Sequence, residues 1–125
     1  MRKRGRGGAG ARRFVEIRSY ELKPDTAARF DRLVEGESVP MLRHHGIDVV
    51  AFGPSLHDED AYYLMRSYAS LENLERSEAA FYGSEEWRLG PRDAILACID
   101  RYVSIVVELD DVAIDGLRMA PITRR

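Results

Sequence analysis

The sequence predicts an α+β domain of the ferredoxin-like type, a four-stranded antiparallel sheet with both helices on one face. Three observations predict it. Four stretches, 14–22, 47–52, 61–68 and 101–109, have the alternating or strand-prone apolar character of β-strands. Apolar residues at helical spacing fill the two long intervals between the first and second and the third and fourth of them. The resulting order, β-α-β-β-α-β, closes through right-handed crossovers into a sheet whose first and third strands are central.

The first strand, FVEIRSYEL, places Val15, Ile17 and Ser19 on one side and Glu16, Arg18, Tyr20 and Leu22 on the other, because successive side chains point to opposite faces. Pro24 stops it, and Asp25 or Thr26 is suited to cap the helix that follows. That helix runs over 26–45, with Phe30, Leu33, Val34, Met41 and Leu42 on one stripe. Pro40 lacks an N–H and its ring presses on the carbonyl of Gly36, which predicts a kink over 36–40. Gly46 is the left-handed cap, with His44 and His45 in the last turn.

The second and third strands form a hairpin around Gly53, Pro54 and the acidic loop SLHDED. In the third strand Tyr62, Leu64, Arg66 and Tyr68 share one face, and Tyr63, Met65 and Ser67 the other. Ser70 caps a helix that Gly83 ends, with Leu71, Leu74, Phe81 and Tyr82 as its buried residues. Short helical turns after Ser84 and after Gly90-Pro91 lead through Ile95, Leu96 and Ile99 to the last strand. There Val103, Ile105 and Val107 continue the apolar face begun by Val15 and Ile17. This face is expected to meet the helices. The opposite face, with Glu16, Arg18, Tyr20, Arg66, Tyr68, Tyr102 and Glu108, is then the open one, and so mixed and aromatic a surface is expected to pack on another subunit.

Composition bounds the rest. A chain of 125 residues, 45% hydrophobic and 32% charged, fits one soluble globular domain. The domain is expected over 14–109, with a basic disordered leader over 1–13 and a polar tail over 110–125. The leader holds six Lys/Arg and no acid, while the remainder carries 13 basic against 21 acidic residues. Without aromatics, the leader predicts no nucleic-acid partner. No apolar run is long enough to span a bilayer. The lone Cys98 excludes an internal disulfide and places the protein in a reducing compartment, the cytoplasm. Three scattered histidines have no metal-ligand spacing, and GRGGAG does not follow a strand as a phosphate loop must, so neither metal nor cofactor is expected.

Three pieces in order carry a family resemblance: Glu16, Arg18, Tyr20, Leu22 and Pro24 in the first strand and its turn; Glu37, Pro40, His45 and Gly46 at the first helix end; and Ala80–Trp87, AFYGSEEW. Over residues 14–109 the chain resembles the NIPSNAP family. The resemblance implies a dimeric α+β barrel, in which two ferredoxin-like subunits join by their open sheet faces. It implies no reaction. The family often has histidine at the position of Tyr63 and glycine at that of Asp25.

Two constellations are candidate sites. Glu37 falls seven residues after Phe30 on the apolar stripe, and His44 seven after Glu37. With Tyr63, and with Tyr82 and Trp87 for stacking, they are the candidate ligand-binding set of a helix–sheet cleft, with Glu37 and His44 as acid–base partners. The alternative has Glu37 bound to local donors and His44 capping. Glu16, Arg18, Tyr20, Arg66 and Tyr68 are read as an interface network, or alternatively as an anion-recognising floor. The sequence therefore predicts a homodimer that binds a small molecule. The alternatives are a cofactor-independent enzyme like the antibiotic-biosynthesis-type monooxygenases that share this barrel, and a non-catalytic interaction module.

Overall fold

Strand β1 (Arg12–Leu22) starts two residues before its alternating stretch, because Arg12 and Arg13 already pair with Asp110 and Leu109. The computed structural model describes residues 11–118, so the leader up to residue 10 and the tail beyond 118 lie outside it. β1 pairs antiparallel with β3 (Ala61–Tyr68) and with β4 (Ile99–Asp110), and β2 (Asp48–Pro54) adds antiparallel to β3. The order β2-β3-β1-β4 puts the first and third strands at the centre, as the ferredoxin-like reading requires.

Between β1 and β2 the chain forms α1 (Ala27–Leu33), a π-helical turn (Val34–Ser38) and α2 (Val39–His44). Asp25 turns into α1 with φ of +65°, a left-handed conformation that acid and amide side chains tolerate and glycine prefers. The Thr26 hydroxyl does not cap α1. It donates to the carbonyls of Lys23 (2.8 Å) and Cys98 (3.2 Å), tying the start of the helix to the start of β4.

The expected kink is a π turn. The Val39 N–H reaches back five residues to the Val34 carbonyl, which accommodates one extra residue ahead of Pro40. An extra residue advances the helix phase by about 100°. Ser38, Val39 and Leu42 consequently face inward, while Glu37 and His44 are exposed. The predicted burial of Glu37 on the stripe is thereby corrected.

After β3 come α3 (Leu71–Tyr82), α4 (Glu85–Leu89) and α5 (Arg92–Leu96). Ser70 and Ser84 accept the N–H groups of Asn73 and Trp87, the caps the sequence predicts.

The larger correction concerns the two faces of the sheet. The main core joins Tyr20, Leu22, Tyr62 and Leu64 of the sheet to Phe30, Val34, Leu42, Phe81, Trp87 and Ile95. Glu16, Arg18, Arg66 and Tyr68 point the same way and are buried beneath α3. The face expected to be open is the one the helices cover. The helices accept it because α3 brings a polar complement, Glu78 and Tyr82, and itself buries only Phe81.

The other face carries Val15, Ile17, Met65 and Val107 and is covered in part by α6 (Asp111–Arg118), formed from residues read as polar tail. Ile114 is 1% exposed against Val15 and Val50. Arg118 clamps the helix end to Asp48 with two bonds of 2.8 and 2.6 Å. Farther along the same face Val103 and Ile105 remain 59% and 60% exposed. No helix among the described residues is long and apolar enough to cross a membrane.

Candidate functional site

A cavity of about 330 Å³ opens between the helix-covered face of the sheet and α1, the π turn and α3–α5. Phe30, Val34, Leu64, Trp87 and Ile95 give it apolar walls. Ser38, turned inward by the π turn, is on its lining, as are Arg18, Glu78 and Tyr82. Arg92, Leu96 and Tyr102, all exposed, stand at its mouth. Tyr20 meets Phe30 edge-on at 5.1 Å, and Tyr82 meets Trp87 edge-on at 5.3 Å, which fixes the aromatic walls.

The polar end is a buried charge network. Strand alternation puts Glu16 and Arg18 on one face of β1, and the register sets Glu16 opposite Arg66 of β3. Arg66 Nη2 donates to Glu16 Oε1 at 2.5 Å, and Arg18 Nη2 to Glu16 Oε2 at 2.9 Å. From α3, Glu78 comes within 3.2 Å of Arg66 and 3.6 Å of Arg18, and it accepts the Tyr68 hydroxyl at 2.8 Å. The Tyr82 oxygen accepts from Arg66 Nη1 at 2.8 Å and from Arg18 Nη1 at 3.3 Å. The Arg18 guanidinium also lies 4.5 Å from the centre of the Tyr102 ring.

Two arginines are thus balanced by two carboxylates of unequal character. Burial acts to raise the Glu16 carboxyl, but hydrogen bonding with Glu78 and the charges of Arg66 and Arg18 outweigh it and bring it down to about 2. Glu78 is raised, by burial first and then by sharing a hydrogen bond with Glu16. Burial pushes the Tyr20 phenol up to about 12. Nε of Arg18 and Nε of Arg66 are buried without a partner. A fold optimised for stability alone has little reason to keep such donors, each of which costs about 1–3 kcal/mol.

Of the candidate ligand residues, Tyr82 and Trp87 line this cavity. Glu37 and His44 are on the solvent side of the first helical segment, and Tyr63, opposite Ser19, belongs to the far face of the sheet. The five residues read as an interface network, Glu16, Arg18, Tyr20, Arg66 and Tyr68, do come together, but at and behind the cavity wall. Sequence reasoning missed Glu78 and Ser38. Glu78 had a signal: it lies one helical turn before Tyr82 on the same face of α3. Ser38 had none beyond the five-residue step from Val34 to Val39. Among the described residues no three His, Cys, Asp or Glu are grouped to hold a metal ion.

A family model described as NIPSNAP matches residues 15–109. A comparison with curated proteins finds no match. Among solved structures, the chain is similar to an uncharacterized NIPSNAP-like domain protein from Burkholderia xenovorans, with 22% identity and a TM-score of 0.70. That match covers 76% of this chain and 83% of the other. A NIPSNAP family protein from Agrobacterium tumefaciens superposes with a TM-score of 0.74 at 14% identity, covering 85% of this chain and 92% of the other. A putative antibiotic biosynthesis monooxygenase from Nitrosomonas europaea follows with a TM-score of 0.60 at 16% identity, over 76% and 88% of the two chains. At these identities the structures share the fold.

Proposed function

The chain belongs to the NIPSNAP family, and on that premise we propose that it is a homodimeric protein of the cytoplasm that binds a small molecule in the cavity beneath its helices. The observation that carries this reading is the cavity itself. About 330 Å³ lies at the lower end of the range of small-molecule sites, and the composition fits: apolar and aromatic walls with a few converging polar groups. The ligand class is an apolar, flat molecule of modest size with an oxygen that meets Tyr82 and Arg18. Arg92 at the mouth, paired among the described residues with the neighbouring Asp93 alone at 2.9 Å, suits a second, anionic group.

Trp87 is the only tryptophan and lines the cavity, so its fluorescence reports occupancy. A panel of aromatic acids, quinones and flavins is titrated against Trp87 emission and against the melting temperature. A ligand at a hundred times its Kd stabilises by about 2.7 kcal/mol. A panel that changes neither signal refutes the reading.

The homodimer is supported by the other face of the sheet. Val103 and Ile105, more than half exposed, continue the apolar patch of Ile17 and Val107 beyond the reach of α6. A second copy is the occupant that the dimeric barrel of the family implies. The expected interface is therefore this apolar face, in place of the polar cluster. Ile105→Glu is expected to give a monomer in light scattering, and a dimer that survives it overturns this assignment. The single, buried Cys98 accords with a reducing compartment.

A further inference from the structure

We propose that Tyr82 and Glu78 act together on an apolar carbonyl compound in the cavity, Tyr82 donating to the carbonyl oxygen and Glu78 removing and returning a proton at the adjacent carbon. The proposal rests on the cavity being a ligand site and names its substrate class and reaction.

Residues 78 and 82 are one turn apart on α3, so their side chains share a face, and both line the cavity. The Tyr82 oxygen receives N–H groups from Arg66 and Arg18. Its lone pairs are occupied, and its own proton has no acceptor among the described residues. A phenol held this way is a donor only, and two guanidinium groups at its oxygen strengthen the donation. The partner it lacks is an acceptor oxygen, and the space in front of it is the cavity.

Glu78 has the complementary character. Its Oε2 takes the Tyr68 hydroxyl at 2.8 Å and Arg66 at 3.2 Å. Its Oε1 stands 3.6 Å from Arg18, beyond direct hydrogen bonding, and the carboxyl shares a hydrogen bond with Glu16, the neighbour that keeps it basic. Burial and the adjacent Glu16 make this carboxylate a stronger base than one in water.

The step balances without an electron acceptor. The C–H bond beside the carbonyl breaks, and its proton goes to Glu78. The electron pair forms a carbon–carbon double bond, and the carbonyl π pair moves onto oxygen. The oxyanion takes the Tyr82 hydrogen bond, with Arg18 and Arg66 behind it. Return of the proton to the same carbon exchanges its hydrogen with solvent. Return to a conjugated carbon moves a double bond.

The test uses 2-tetralone in D2O, following loss of its α-hydrogens by proton NMR and its binding by Trp87 quenching. The wild-type protein is expected to accelerate exchange by roughly a hundredfold or more over buffer, the range of one positioned acid–base group. Glu78→Gln is expected to keep binding and to lose nearly all of that acceleration, while Glu78→Asp recovers part of it. Tyr82→Phe, checked for folding by circular dichroism, is expected to lower exchange by about tenfold or more. Binding without exchange, or exchange undiminished in Glu78→Gln, overturns the dyad. Absence of 2-tetralone binding also overturns it. The cavity itself remains a ligand site if another panel compound quenches Trp87.

Discussion

Replacing Glu16 by Gln probes the charge network at its centre. Glu16 is 4% exposed and is the acceptor for both Arg66 and Arg18. Its folded-state pKa of about 2 lies below the ordinary 4.5, so the carboxylate stabilises the fold fully above pH 4.5. That contribution is lost as the pH falls through about 2. At 1.36 kcal/mol per pKa unit the difference corresponds to about 3 kcal/mol, and to roughly 2 kcal/mol after allowance for solvent screening. The variant also leaves two guanidinium groups facing one carboxylate, and unpairing a buried charge costs about 3–5 kcal/mol. Glu78 offsets part of this, because it ionises more readily once Glu16 is neutral. The expected net loss at pH 7 is about 2–4 kcal/mol, or roughly 10 °C in melting temperature for a domain of this size. Urea unfolding followed by circular dichroism at pH 7 and pH 3 measures it. The gap between the proteins narrows at pH 3, where wild type has lost about half of the Glu16 contribution and the amide has nothing to titrate. A variant within about 0.5 kcal/mol of wild type at pH 7 refutes the reasoning, as does a gap of equal size at both pH values.

Other positions give sharper signs than magnitudes. Glu37→Gln and His44→Ala, on exposed sites without partners in the core, are expected to change unfolding free energy by less than about 0.5 kcal/mol; a larger loss would place either side chain back in a buried site. Asp25→Gly is expected to raise stability by up to about 1 kcal/mol, since φ of +65° costs a non-glycine residue about that much, and destabilisation contradicts the assignment. Ile114→Ala, which opens a hole between α6 and the sheet, is expected to cost about 2–4 kcal/mol in the same urea assay. A neutral result there shows α6 to be detached in solution.

Strand order and helix order were legible because period 2 and period 3.6 are local properties of the chain. The choice of face was not. Val15, Ile17, Val103 and Ile105 form the more apolar side of β1 and β4, and hydrophobicity alone sends that side to the helices. What decides otherwise is the partner: α3 offers Glu78 and Tyr82 toward the sheet and leaves Leu71 54% exposed, so it complements Arg66 and Tyr68 better than it would complement Ile17. The candidate site failed at Glu37 for a different reason. The helical period that puts Glu37 and His44 on the apolar stripe holds only without an inserted residue; the π turn at 34–38 inserts one, and both side chains face solvent. Tyr82 and Trp87 fall on the cavity wall because their positions depend only on short helices after Ser70 and Ser84, where no such insertion intervenes.

The π turn has a consequence for how the cavity can change over time. A helix is a screw, and shortening it by one residue between positions 34 and 38 would turn everything downstream by about 100° and draw it back by about 1.5 Å. Ser38, Val39 and Leu42 would rotate away from the sheet together, and acidic Glu37 would swing toward the apolar walls. The roof of the cavity is therefore set by the length of the chain as much as by its side chains. Substitution changes such a roof one group at a time. A single-codon deletion changes it all at once, and relatives that differ by one residue at this point would hold differently shaped cavities under an unchanged sheet.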